Sequence, residues 1–346
     1  MSQLRGRTLA VLLALAVLAM RSSSSNCLWA ADSDASTSVV APPSESPKEP
    51  TSKNKDAVIP PPSADASEPS TDNIIHLDQP PASEPLLNVD ADGWAWQWVP
   101  TGIIYHSYMA GPQEPRGGLL IFSDPGEGTH ADATLGGRMG FLKYGNLDPT
   151  HPEGWQLDFY GAAIARLDLE RQEDLDSCDY VFGFPLTWGN ERLQSKIGYA
   201  HLSSHMGDEF AIEHPGALTD RVNYTRDSIV WGESYYPIPA WRVYGEIGWA
   251  AHCDGYAHRW TSQFGTELSR PGPTGCHGTP FFAINGRLRE DDAWVGDVNI
   301  QTGWLHRGIL GQTLRWGFDY YNGKSSQSQF FNVHEQQLGV GLWYDF

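Results

Sequence analysis

From Gly93 to the C-terminus the chain alternates apolar residues with polar residues or glycine in one segment after another. At the end of the chain, Leu338, Val340, Leu342, Tyr344 and Phe346 alternate with Gln337, Gly339, Gly341, Trp343 and Asp345. Leu314, Trp316, Phe318 and Tyr320 alternate in the same way with Thr313, Arg315, Gly317 and Asp319. Earlier, Trp241, Val243, Ile247 and Trp249 stand against Arg242, Tyr244, Glu246 and Gly248, and Trp155, Leu157, Phe159, Ala163 and Ala165 against Gln156, Asp158, Tyr160 and Arg166. Successive side chains of a strand point to opposite faces, so each segment predicts a strand with one apolar face and one polar face.

Length separates a membrane barrel from a soluble sandwich. These segments run ten to fourteen residues, whereas sandwich strands average roughly 5 to 6. A transmembrane β-strand needs about 9 to 11 residues, with lipid-facing positions apolar and lumen-facing positions polar. The pattern therefore predicts an all-β, antiparallel transmembrane β-barrel. Strands are expected near 117–125, 134–144, 154–166, 177–186, 191–204, 219–232, 239–252, 257–267, 280–288, 294–306, 312–322 and 329–346, a count of about twelve. Poor alternation over 107–125 and 257–288 leaves ten to fourteen open. Trp231, Tyr235, Tyr236 and Trp304 are expected in interfacial girdles. The runner-up fold is a secreted β-sandwich with Trp-rich sugar-binding loops.

The segments before the barrel read differently. Arg5 and Arg7 precede a 13-residue apolar run, Thr8 to Met20, followed by small residues. That run is too short to span as a helix, which takes roughly 20 residues. It reads as a signal peptide over 1–30, with export through the Sec pathway. Residues 31–92 are rich in Pro, Ser, Asp and Glu and nearly without aromatic residues, so they predict a disordered linker. Residues 93–116, rich in Trp, Tyr and His, form an aromatic pre-barrel segment suited to plugging the lumen, capping its opening or anchoring at the interface. The barrel is assigned to 117–346.

The net charge of -19 divides into +3 from 1–30, -9 from 31–92 and -13 from the remainder. An excess of 42 acidic over 23 basic residues argues against nucleic-acid binding. The four cysteines show neither a disulfide-scaffold density nor a zinc spacing. Arg166, Lys196, Arg226, Arg242, Glu246, Arg315 and Asp319, all on polar faces, are of mixed sign and predict a filled lumen rather than an open pore.

With both barrel termini in the periplasm, the parity of strands makes the 205–218 loop extracellular and the 268–279 connection periplasmic. It also sets Cys253 and Cys276 at opposite ends. Period two places Ile197, Tyr199, His201 and Ser203 on the lipid-facing side of one strand, near its outer end, and Asn223 on the same side of the next. A serine nucleophile needs a base within hydrogen-bond reach and a third group to orient that base. Ser203, His201 and Asn223 supply those three residue types. Asp208 and Glu209, with Glu213 nearby, are candidate oxygen ligands for calcium. A polar rim and a solvated acidic loop are the plainer readings of the two groups.

Three resemblances sharpen this picture. The terminal Phe346 with Tyr344 and Leu342 resembles the C-terminal signal that the outer-membrane barrel-assembly machinery reads, which implies residence in a bacterial outer membrane. The outward His-x-Ser of His201 and Ser203, followed by Asn223 on the next strand, resembles the site of the outer-membrane phospholipase A family, twelve-stranded barrels that hydrolyse lipid acyl esters in the outer leaflet. That resemblance implies Ser203 as nucleophile, His201 as general base and Asn223 as its orienting partner, with membrane lipids as substrates. The family's Asn-Gly after the serine is replaced here by Ser204-His205, which puts the oxyanion and calcium arrangements in question. Over residues 98–346 the chain is similar to the uncharacterised family known as domain of unknown function 1207, on His106 to Arg116, His201 to Glu209 and Arg221 to Arg226; that family brings no activity with it. The functions carried forward are a lipid acyl hydrolase, a small pore or solute channel, and a non-enzymatic structural or surface barrel.

Overall fold

The computed structural model describes residues 89–90, 93–214, 216 and 221–346. The signal peptide expected over 1–30 lies outside the described residues, as does the linker expected over 31–92 apart from Val89 and Asp90. A short strand, β1 (Ala95–Trp98), precedes β2 (Gly117–Asp124), β3 (Gly128–Gly145), β4 (Gly154–Asp168), β5 (Asp174–Gly189) and β6 (Leu193–Met206). One helical turn and a half, α1 (Asp208–Glu213), follows β6. The remaining strands are β7 (Thr225–Ile238), β8 (Trp241–Asp254), β9 (Trp260–Ser269), β10 (Thr279–Arg289), β11 (Asp297–Arg307), β12 (Thr313–Lys324) and β13 (His334–Asp345).

Strands β2 to β13 pair antiparallel, each with its neighbours in the chain, and β13 closes on β2 from Leu338 opposite Ser123 to Tyr344 opposite Gly117. The result is the closed twelve-strand barrel that the alternation predicts. Several strand boundaries differ from expectation; the last strand begins at His334 rather than at 329, and two others move by six residues. The stretch 219–224 alternates like the start of a strand, yet Val222 and Tyr224 pack with Ala257 in a small apolar cluster and the ladder begins only at Thr225. Conversely, β3 starts at Gly128, where Thr129, His130 and Asp132 carry no apolar signal, yet Thr129 pairs with β2 and His130 and Asp132 pair with both β2 and β4.

The outward rows are apolar. Leu338 and Phe318 are 63% and 62% exposed, and Phe182, Trp231, Phe264 and Val340 stand with them on the outer wall. A closed wall of exposed large apolar side chains is the surface a hydrocarbon phase requires. Trp155 and Trp188 stack at 5.2 Å near the terminal end of the barrel, where Trp304 donates its indole N–H to His277 O at 2.7 Å. β1 adds Trp96 and Trp98 to that end by pairing with Leu142 to Gly145 of β3. Trp231 departs from the girdle expected of it and lies halfway along β7.

Inside, most of the charges are buried and paired. Arg138 meets Asp158 at 2.6 Å, Arg166 meets Asp132 at 2.8 Å and Glu335 at 2.6 Å, Lys196 meets Glu246 at 2.5 Å, and Arg315 meets Asp345 at 2.8 Å. Residues following β1 enter the lumen and fill it. Tyr108 stacks on Tyr244 with centroids 3.9 Å apart and donates to Glu246 at 3.0 Å. The Lys196 ammonium sits 4.9 and 4.7 Å from the Tyr105 and Tyr108 ring centroids, and the Arg242 guanidinium lies within cation–π range of the same rings. Arg242 also donates to the carbonyls of His106 and Ser107, Arg116 to those of Tyr108 and Met109, and Asn299 to that of Ala110. Of the alternatives for 93–116, the structure combines two: its tryptophans join the terminal girdle and its later residues plug the lumen.

Two outcomes are expected from this interior. Arg242→Met leaves Glu267, 3.2 Å away, buried without its cation and lowers unfolding stability by about 3–5 kcal/mol, whereas Arg242→Met with Glu267→Leu recovers most of that loss; denaturant unfolding of the refolded barrel measures both. In planar bilayers the intact barrel shows no discrete conductance steps, and a barrel lacking residues 99–116 does.

Candidate active site

The outward face of β6 carries Tyr199, His201 and Ser203, set between β5 and β7 by an unbroken ladder. His201 pairs in register with Asp227 of β7, and Ser203 with Thr225. His201 Nδ1 lies 2.7 Å from Asp227 Oδ1. An ionised carboxylate only accepts hydrogen bonds, so Nδ1 is the donor in this contact. The Phe182 ring packs against the imidazole with centroids 4.7 Å apart. The imidazole is thereby held in orientation.

Asp227 gathers more than one partner. The Tyr199 hydroxyl donates to Oδ1 at 2.5 Å, and His252 Nδ1 of β8 lies 3.4 Å from Oδ2. A carboxylate, two imidazoles and a phenol thus meet on three adjacent strands of an otherwise apolar outer wall, at the barrel end opposite the two termini of the wall. Ionisable groups on a lipid-facing surface are costly, and where they persist they mark function.

Ser203 stands two residues from His201 on the same face. Its side chain makes no hydrogen bond among the described residues, so its hydroxyl is not engaged with His201 in this conformation. The neighbours in register, Tyr180 of β5 and Thr225 of β7, both carry hydroxyls. Ser204 points inward, where its hydroxyl bonds Asp179, and its backbone N–H is committed to Tyr224 O at 3.0 Å.

The orienting bond expected of Asn223 is made by Asp227. Asn223 is exposed, precedes β7, and its side chain makes no hydrogen bond among the described residues. It lies four residues from Asp227 along an extended chain, roughly 13 Å at 3.3 Å per residue, too far for its side chain to reach His201. Asp227 shares the parity of Asn223, Ile229 and Trp231, so the signal was present in the sequence; only the cross-strand register, set by the hairpin, chooses between them.

Asp208 and Glu209 fall in the exposed first turn of α1. Consecutive helical residues point about 100° apart, and Glu213 at the far end of the helix pairs instead with Arg171 at 3.1 Å. Among the described residues no three His, Cys, Asp or Glu side chains converge as a metal set. His205 is exposed, its ring edge-on to Tyr180 at 5.6 Å. The two ends of the barrel are as parity predicts: the long connection carrying α1 opens at one end with Cys253, and the turn containing Cys276 lies at the other.

No curated protein matches the sequence. Among solved structures, the barrel is similar to outer membrane phospholipase A from Escherichia coli, at 10% identity and a TM-score of 0.45, over 67% of this chain and 94% of that one. The Salmonella typhi outer membrane phospholipase dimer with bound calcium aligns with the same identity and score, over 67% of this chain and 91% of that one. A family model described as a protein of unknown function (DUF1207) matches residues 92–346. The chain belongs to the DUF1207 family.

Proposed function

We propose that this protein is an outer-membrane barrel that hydrolyses acyl esters of membrane lipids at its outward face, with Ser203 as nucleophile, His201 as general base and Asp227 as the residue that orients the base. The observation that carries this reading is the 2.7 Å contact of His201 Nδ1 with Asp227 on a lipid-facing wall, two residues from a serine on the same face. In this mechanism Ser203 Oγ attacks the ester carbonyl while His201 Nε2 takes its proton. The imidazolium, steadied by Asp227, then protonates the departing alkoxide as the ester C–O bond breaks. Water attacks the acyl-serine, its proton passes to Nε2, and the fatty acid and Ser203 are released. Tyr180 and Thr225 flank the nucleophile as hydroxyl donors for the developing oxyanion, because the Ser204 N–H is already spent in the ladder.

The rest of the proposal concerns where and how the protein reaches its substrate. Export on the 1–30 signal and recognition of Phe346, Tyr344 and Leu342 by the barrel-assembly machinery place it in the outer membrane. Calcium remains a proposed activator through Asp208 and Glu209. A pore is the less favoured reading, because the plug and the paired charges occupy the lumen.

Refolded protein on vesicles of phosphatidylethanolamine or on lipopolysaccharide is expected to release fatty acid. Ser203→Ala and His201→Ala abolish release, and Asp227→Asn lowers it by up to about 10⁴-fold, while Asn223→Ala stays near wild type. Heat-modifiable gel mobility verifies that each variant is folded, and assays with calcium or with chelator report metal dependence. Equal release by Ser203→Ala and wild type overturns the proposal.

A further inference from the structure

The lumen above the plug holds a second feature on the inside of the wall, which His201 of the outward site also borders. A cavity of about 160 Å³ remains there. Five cationic side chains line it: Arg138, Lys196, Arg226, Arg287 and Arg289. Only two carboxylates line it with them, Glu114 of the plug and Glu246. Most of this positive charge is answered locally. Arg138 has Asp158, Lys196 has Glu246, Arg287 Nε has Asp297 Oδ2 at 3.0 Å, and Arg289 Nε is 3.7 Å from Asp291.

Arg226 is the exception. It is 5% exposed, and among the described residues it has no carboxylate partner. Its Nη2 donates to Arg259 O at 3.0 Å, and its Nη1 is buried with no acceptor. Arg287, 7% exposed, donates from Nη1 to Gln113 Oε1 at 2.8 Å, and its buried Nη2 also lacks an acceptor among the described residues. Two guanidinium groups, from β7 and from β10, thus bring N–H donors without acceptors among the described residues to the lining of one cavity. A guanidinium cannot shed its proton to escape burial, as a lysine can, so an uncompensated one is strongly unfavourable. Every other buried arginine described above is matched by a carboxylate. The planar fork of arginine is suited to the two oxygens of a carboxylate or phosphate group.

We infer that the upper lumen is a binding site for the oxyanion group, phosphate or carboxylate, of a small aqueous solute, held between the free N–H groups of Arg226 and Arg287. The plug fixes the site from below. Gln113 accepts from Arg287 through Oε1 and donates through Nε2 to Asp179 at 2.8 Å and to Ser328 Oγ at 3.1 Å. Arg287 is therefore presented to the cavity in a fixed orientation.

Isothermal titration of the refolded full-length barrel with inorganic phosphate, and separately with acetate, tests the site and distinguishes the two anion types. Saturable binding of one or both is expected in wild type, together with a rise in thermal unfolding temperature. Arg226→Gln weakens that binding at least tenfold, and because Arg226 has no carboxylate partner its loss strands no acid and leaves the barrel folded. Arg287→Lys, which keeps the charge that answers Asp297 but loses the fork, also weakens binding. Ser203→Ala binds as wild type does, which separates this site from the hydrolase. Absence of binding by either anion to folded wild type overturns the inference, as does undiminished binding by Arg226→Gln.

Discussion

A backbone that crosses hydrocarbon has no water to which it can lend an N–H or a C=O, so its strands must form a ring in which every such group has a partner. The pairing of β13 with β2 completes that ring. Once the ring is closed, its two surfaces face opposite demands. Outward positions must be apolar, and the inward positions of a twelve-strand wall enclose a space too narrow to hydrate its charges as bulk water would. The glycines on the inner face relieve crowding where rings lie flat against the wall. At Gly183 an added Cβ would fall 2.5 Å from the Tyr160 ring.

The plug follows from the same constraint. Lumen-facing arginines project more N–H groups than the wall's carboxylates can accept, since each guanidinium has five. Irregular backbone supplies the difference with carbonyl oxygens that no ladder has used. Residues 106 to 110 offer theirs to Arg242, Arg116, Arg315 and Asn299. In return Met109 N finds Glu267 at 2.6 Å. The segment is thus part of the core of the barrel rather than an appendage, and its Tyr105 and Tyr108 rings add apolar cover to Lys196 and Arg242.

What could be read from the sequence was what repeats. Period two gave the faces of β8, β12 and β13, the strand count and the ends at which the long connections lie. What could not be read was anything set by register or by an aperiodic path. Arg242 and Glu267 are 25 residues apart and meet because β8 and β9 align Arg242 with Glu267; the mixed signs of the lumen residues announced pairing but not these partners. Tyr108 reaches Glu246 through a segment with no period at all. The outward site divides along the same line. His201 and Ser203 are close in sequence and share a face by parity alone, but parity offers Asn223 and Asp227 alike as partners of His201, and the strand register brings Asp227 to it.

A barrel that must satisfy these demands everywhere makes its departures informative. The polar set of His201, Asp227, Tyr199 and His252 on the outer wall, and Arg226 without a carboxylate in the inner one, each run against the requirement of the surface that bears them. The wall lies between the two, and His201 borders the inner cavity as well as the outer set. The wall also decides what each can meet. The outer set lies flush with a strand face whose neighbours are Phe182 and Ile229, so it is approached from the apolar side of the wall. The inner one is open only to what passes the barrel mouth. Ladder hydrogen bonds fix His201 opposite Asp227, so in the proposed hydrolysis the one contact still to be made within the set is that of the Ser203 hydroxyl with Nε2.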